Sequence, residues 1–288
     1  MEMGETKVKS SANDPAIDLT VIEPPRGWQL VDWRELWQYR DLFRFLVWRD
    51  VKTRYAQSIL GVGWAVIQPV FSMIVFTIVF GRLARVNSDG VPYAIFNYTA
   101  MVPWTYFSSS LSAATGSLIS SSSMLTKVYF PRLVIPFAPV LAKLVDFGIA
   151  FLILIGMMVF YRMVPNWNAL ALPLLVLLMM LTASGMGMWL TALSVQYRDI
   201  NYAMSFVIQL LMYAAPVVYP TSNVPEQFRI FYALNPMVGV IEGFRAALLG
   251  TIPMPWDWIG VGTGVAIVIM LSGIFYFRRM ERIFADVV

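Results

Sequence analysis

Lys143 and Asp146 lie three residues apart inside a long apolar run, residues 133–161. On a helix that spacing puts both on one face, where ammonium and carboxylate can neutralise each other. If the run crosses a bilayer, such a pair lines a pore or coupling element, or it is a paired charge facing the bundle interior. Glu242 and Arg245 repeat the spacing in a second apolar stretch, residues 228–249. Residues 108–123 are dense in serine, from Ser108, Ser109 and Ser110 to Ser120–Ser123. Their hydroxyls can line a path for sugars, and small side chains also let helices pack closely. The small-residue patch at 183–187 reads as packing by the same argument.

Most enzymatic vocabulary is missing. The chain has no histidine and no cysteine. That excludes imidazole relays, disulfides and Cys/His metal sites. No carboxylates cluster within an apolar run, and there is no Gly-x4-Gly-Lys-Ser/Thr loop to cradle ATP phosphates. The sequence therefore predicts no catalytic residues, no metal and no cofactor in this chain.

These groups must be positioned by apolar elements. Of 288 residues, 58% are hydrophobic and 13% charged, with a mean hydropathy of +0.66. A soluble domain of this length needs more charge on its surface, so the bilayer is the expected solvent. A net charge of +4 gives no argument for nucleic acid.

A membrane helix needs roughly 20 apolar residues. Six stretches qualify: 59–80, 93–118, 133–161, 169–195, 200–219 and 256–277. Pro69 is expected to kink the first. The stretch 228–249 is a poor seventh, because Arg229, Glu242 and Arg245 each cost roughly 2.5–3.5 kcal/mol at mid-membrane. Asn235-Pro236 also breaks it. It reads as two short outer helices dipping into the membrane, with Asn235, Pro236, Glu242 and Arg245 at an outer gate. On this reading, reversing both charges restores more function than either reversal alone.

The first 58 residues are polar and charged and show no cleavable signal. Residues 1–34 read as a cytoplasmic tail and 35–58 as a basic-aromatic helix at the membrane interface. The transmembrane domain is then 59–288. Arg44, Arg49, Lys52, Arg54, Lys127, Arg132, Arg198, Arg278 and Arg279 all fall on one side of the six spans. Fewer cations, Arg82, Arg85, Arg162, Arg229 and Arg245, fall on the other. The positive-inside rule puts both termini in the cytoplasm. Aromatics make up 15% of the chain. Trp64, Phe71, Tyr106, Phe206 and Tyr213 are candidates by position for a belt around a polymer, though each alone also suits packing.

Several stretches together resemble a known family. They are Trp48-Arg49-Asp50-Val51-Lys52-Thr53-Arg54-Tyr55 running into Leu60-Gly61, then Trp64 and Gln68-Pro69. Lys127-Val128-Tyr129-Phe130-Pro131-Arg132 follows, then Tyr197-Arg198-Asp199-Ile200, Ala215-Pro216-Val217 and Tyr219-Pro220. Leu234-Asn235-Pro236 and Glu242-Gly243-Phe244-Arg245 complete the set. In this order, from about residue 35 onward, they resemble the permease subunits of polysaccharide ABC exporters of the ABC-2 family, which serve O-antigen, capsule and teichoic acid. The resemblance implies an all-α fold: six spans, an N-terminal interface helix and two re-entrant outer helices before the last span. It implies a homodimer with two copies of a separate ATPase that holds ATP and Mg. Lys127, Phe130, Pro131, Arg132, Tyr197, Arg198 and Asp199 would then contact that ATPase. The implied substrate is an undecaprenyl-linked polysaccharide, O-antigen type first, crossing the bacterial inner membrane. A teichoic-acid exporter is the near alternative. A secondary transporter of a small solute should show ion-binding carboxylates or inverted repeats, and a lipid-sugar transferase a clustered acidic metal site.

Overall fold

The structure is a computed structural model that describes residues 37–56, 61, 63–125, 130–197 and 199–287. Among the described residues it is all helical. We label nine helices. They are α1 (Arg40–Tyr55), α2 (Gly63–Phe76), α3 (Tyr93–Thr115), α4 (Val134–Phe160), α5 (Leu172–Gln196), α6 (Asp199–Tyr213), α7 (Arg229–Ala233), α8 (Pro236–Leu248) and α9 (Trp256–Val287). A π-helical stretch, Thr77–Leu83, continues α2. The tail 1–34, Lys127 and Arg198 lie outside the described residues.

Among the described residues, four segments are long and apolar enough to cross a membrane: Gly63–Leu83, Val134–Phe160, Trp167–Gln196 and Trp256–Glu281. They correspond to the first, third, fourth and sixth expected spans. The other two differ from expectation for separate reasons. Helix α3 has 23 residues but a mixed composition, because it is the hub of the bundle. Ile95, Phe96, Tyr98, Ala100 and Leu111 are completely buried there, so lipid never selects its side chains. Helix α6 has 15 residues, roughly 22 Å at 1.5 Å per residue. It ends early because Pro216 has no N–H and disfavours helical geometry at Ala215.

In a dry interior, polar groups must find partners inside the protein. Thr99 and Thr115 donate to carbonyls one turn back, Ile95 and Leu111, at 2.7 and 2.8 Å. Tyr98 and Tyr106 donate to Ala150 and Val140 and so tie α3 to α4. Thr191 and Ser194 of α5 donate to the Ala114 and Thr115 carbonyls at the end of α3, at 2.7 and 2.8 Å. Gly187 lets Ala114 approach; a Cβ there would lie 2.8 Å from the Ala114 methyl. Helices α5 and α9 form the longest seam. Gly185 faces Gly273, and Trp189 stacks on Tyr276 at 4.2 Å while donating to Ser272.

The stretch between α6 and α9 holds the two expected short helices, α7 and α8. Asn235 separates them and caps α8, its side chain accepting from the Met237 N–H at 3.1 Å. Pro236 at the first helical position loses no bond, since that N–H would be unpaired anyway. All of α8 is buried, packed among α3, α5 and α9.

Candidate functional site

Helix α1 runs beside the first half of α4. Leu46 packs on Val134 and Ala138, and a little over two turns further on Arg54 and Tyr55 reach Asp146. Arg54 Nη1 is 2.8 Å from Asp146 Oδ2, Lys143 Nζ is 3.5 Å from the same oxygen, and the Tyr55 hydroxyl donates to Oδ1. The expected intramembrane pair is thus a four-membered cluster, with one carboxylate facing two cations and a phenol. Burial pushes the Tyr55 phenol up to about 12, and the Asp146 carboxylate adds to the shift. Sequence reasoning did not place Arg54 and Tyr55 here. The signal was available: a carboxylate with several acceptor sites at a helix depth that α1 can reach.

Of the residues matched to the two loops, Phe130 and Pro131 are buried. Phe130 sits in a cluster with Leu118, Met188 and Phe277. Arg132 donates to the Glu281 carbonyl at 2.7 Å, joining the start of α4 to the end of α9. Tyr197 is half exposed, and Asp199 opens α6, where a carboxylate suits the helix dipole. The described parts of both loops therefore lie at the bundle end where α4 and α6 begin and α5 ends.

Glu242 and Arg245 pair within α8 at 2.7 Å, with side chains 2% and 1% exposed. Arg245 also donates to the Val217 and Tyr219 carbonyls, at 3.1 and 3.4 Å. Its guanidinium lies 3.7 Å over the Phe96 ring. The pair is a clamp joining α8 to α3 and to the turn after α6. It is reached from no surface of the subunit.

The candidate aromatics separate into two groups. Tyr106 is buried in the core, 2% exposed. Trp64 and Phe71 on α2, and Phe206 and Tyr213 on α6, are at least half exposed. Helix α6 buries only Met204. Its exposed face mixes Tyr202, Phe206 and Leu210 with the polar Asn201, Ser205 and Gln209. Lipid does not select amides at such positions.

Among the described residues, an all-helical bundle with membrane-length apolar helices, interior charges held in one pair and one cluster, and a polar-aromatic helix left uncovered defines an integral membrane protein of the transporter type. Residues 41–249 match the ABC-2 type transporter family, and the chain belongs to that family. It is 31% identical over 215 residues to the O-antigen export system permease protein RfbA of Myxococcus xanthus, covering 74% of this chain and 82% of that protein. The Klebsiella pneumoniae protein of the same name is 26% identical over 249 residues, covering 86% and 95%. The polysialic acid transport protein KpsM of Escherichia coli is 22% identical over 206 residues, covering 70% and 78%.

Proposed function

We propose that the chain is the permease subunit of an ATP-driven exporter of lipid-linked polysaccharide, O-antigen type, in a bacterial inner membrane. The family match over 41–249, with relatives named for O-antigen export, carries the reading. Two copies of the chain pair through α2 and α6. The support is the uncovered surface of these helices, where Asn201, Ser205 and Gln209 sit among aromatic rings. Trp64, Phe71, Phe206 and Tyr213 offer ring faces on which sugar C–H faces stack. Six spans and cytoplasmic termini follow if α3 and α6, with the turns after Tyr213, complete the crossings. Helices α7 and α8 then form the re-entrant outer element around Asn235 and Pro236.

ATP and Mg belong to a separate ATPase, two copies per exporter, because this sequence has no phosphate-binding loop. The loops at 127–132 and 197–199 are the expected contacts for it. Deleting the chain from its native cell strips the long polysaccharide from the surface and leaves it inside on its lipid carrier. Normal surface polysaccharide in the deletion strain would refute the reading. In the purified complex, cysteines introduced at Arg132 and Tyr197 cross-link to the ATPase, whereas the chain alone hydrolyses no ATP. An intact complex without cross-links from either loop would remove the coupling assignment. Cysteines at Phe206 cross-link two copies of the permease; monomeric permease in an active exporter would remove the homodimer.

A further inference from the structure

A charge-lined pocket of about 320 Å³ opens between α1, the first half of α4 and the serine-rich segment that follows α3. Arg49, Arg54 and Lys143 line it, with Asp50 and Asp146 as their counter-charges and Ser121 also in the lining. Three cations face two carboxylates, so the pocket is positive. The excess is concentrated at one point. Asp50 is taken by Arg49 at 2.9 Å, while Arg54 and Lys143 share Asp146. Asp146 also accepts from Tyr55.

Lys143 is the most constrained of the three cations. Its residue is 9% exposed, and Asp146 at 3.5 Å is its ion-pair partner among the described residues. An ammonium carries three donors, and a buried cation this weakly compensated is favourable only with more acceptor oxygen nearby. Phe45 and Trp48 stand exposed on α1, which forms one wall, and Trp37 is exposed just before it. Indole rings such as those of Trp37 and Trp48 settle at headgroup depth, so the pocket opens where lipid headgroups lie.

We propose that this pocket binds the phosphate headgroup of a membrane lipid, with Lys143 and Arg54 as the donors to its oxygens. A lipid phosphodiester matches Asp146 in charge and adds further acceptor oxygens, and a diphosphate exceeds it in both. It therefore competes with Asp146 for Arg54 and Lys143 and loosens the contact between α1 and α4. Two sources share this chemistry: a bulk anionic phospholipid, and a polyprenyl diphosphate of the kind that carries glycans. The site does not depend on the export reading, since either source fills it.

The test uses the full chain in phosphatidylcholine nanodiscs doped with either phosphatidylglycerol or polyprenyl diphosphate, with retained lipid counted by native mass spectrometry. Wild type retains about one doped lipid per chain, and inorganic pyrophosphate displaces it. Lys143→Gln weakens retention about tenfold or more, the loss expected for one charge-assisted contact, and Lys143→Arg restores most of it. Asp146 keeps Arg54 and Tyr55 in Lys143→Gln, so the variant folds, and its melting temperature checks that. Preference for polyprenyl diphosphate assigns the site to the carrier lipid, and equal retention assigns it to bulk anionic lipid. Equal retention by wild type and Lys143→Gln, or lipid that pyrophosphate cannot displace, overturns the site. Surface polysaccharide in the native cell stays a separate readout, so loss of the site leaves the export reading standing.

Discussion

Arg245→Met removes most folded protein from the membrane. The change strands Glu242 as an unpaired carboxylate at 2% exposure and deprives the Val217 and Tyr219 carbonyls of their donor. Breaking a buried ion pair from one side costs about 3–5 kcal/mol, a large fraction of a typical domain's stability. The lost contact over the Phe96 ring adds about 1–2 kcal/mol in a dry site. Glu242→Gln is milder, because an amide oxygen still accepts from Arg245. The charge reversal Glu242→Arg with Arg245→Glu does not rescue. A carboxylate at 245 repels the two carbonyls that the guanidinium now serves. The sequence spacing alone predicts the opposite, since it shows the pair and hides the carbonyls. Yield of monodisperse protein and thermal unfolding in detergent decide between the two. Folding of the reversed pair at wild-type stability would show that the carbonyl contacts are dispensable.

Gly273→Val disrupts the seam between α5 and α9 with comparable force. A Cβ on Gly273 would stand 2.5 Å from the Gly185 carbonyl oxygen, and one on Gly185 would stand 2.8 Å from the Met270 backbone. The obstacles are backbone atoms of two packed helices, which have no rotamer to escape into. Even Gly273→Ala, which gains about 1 kcal/mol of helix propensity, loses more to overpacking, typically 1–3 kcal/mol. Valine adds two methyls to the same clash and separates Trp189 from Tyr276. Gly260 and Gly264 lie on the same helix with nothing within 4 Å of an added Cβ. Gly260→Ala and Gly264→Ala are therefore neutral or slightly stabilising. Parallel melts of these variants test the claim. If Gly273→Ala melts with Gly260→Ala, the helices slide apart freely and the seam is not a constraint.

Much of the architecture was legible because bilayer chemistry writes itself into composition. Residues 133–161 and 256–277 are long, apolar and interrupted by few charges, and each is a helix of membrane length. The two helices flanking Asn235-Pro236 were legible for another local reason: the residue before proline resists helical geometry, and Asn235 is a good cap. Helix α3 was harder to read for its role. Its threonines, tyrosines and asparagine lower its hydropathy, and only burial on all sides explains why they are tolerated. The end of α6 was overestimated, since apolar residues continue past Tyr213 although Pro216 cannot continue the helix.

The sequence by itself determined the solvent, the all-helical class, the absence of a phosphate loop and the spacing that pairs Lys143 with Asp146 and Glu242 with Arg245. These follow from residue types and from contacts within one helix, where the partner is always three or four positions away. The tertiary structure alone decided which groups meet across helices. Asp146 meets Arg54 and Tyr55 across more than 90 positions of chain, and Arg245 meets the backbone of Val217 and Tyr219. Backbone carbonyls carry no sequence signature, and a contact between elements depends on how the helices are stacked. That stacking is set by close-packed volume at positions such as Gly185 and Gly273, which a single chain read in order does not display.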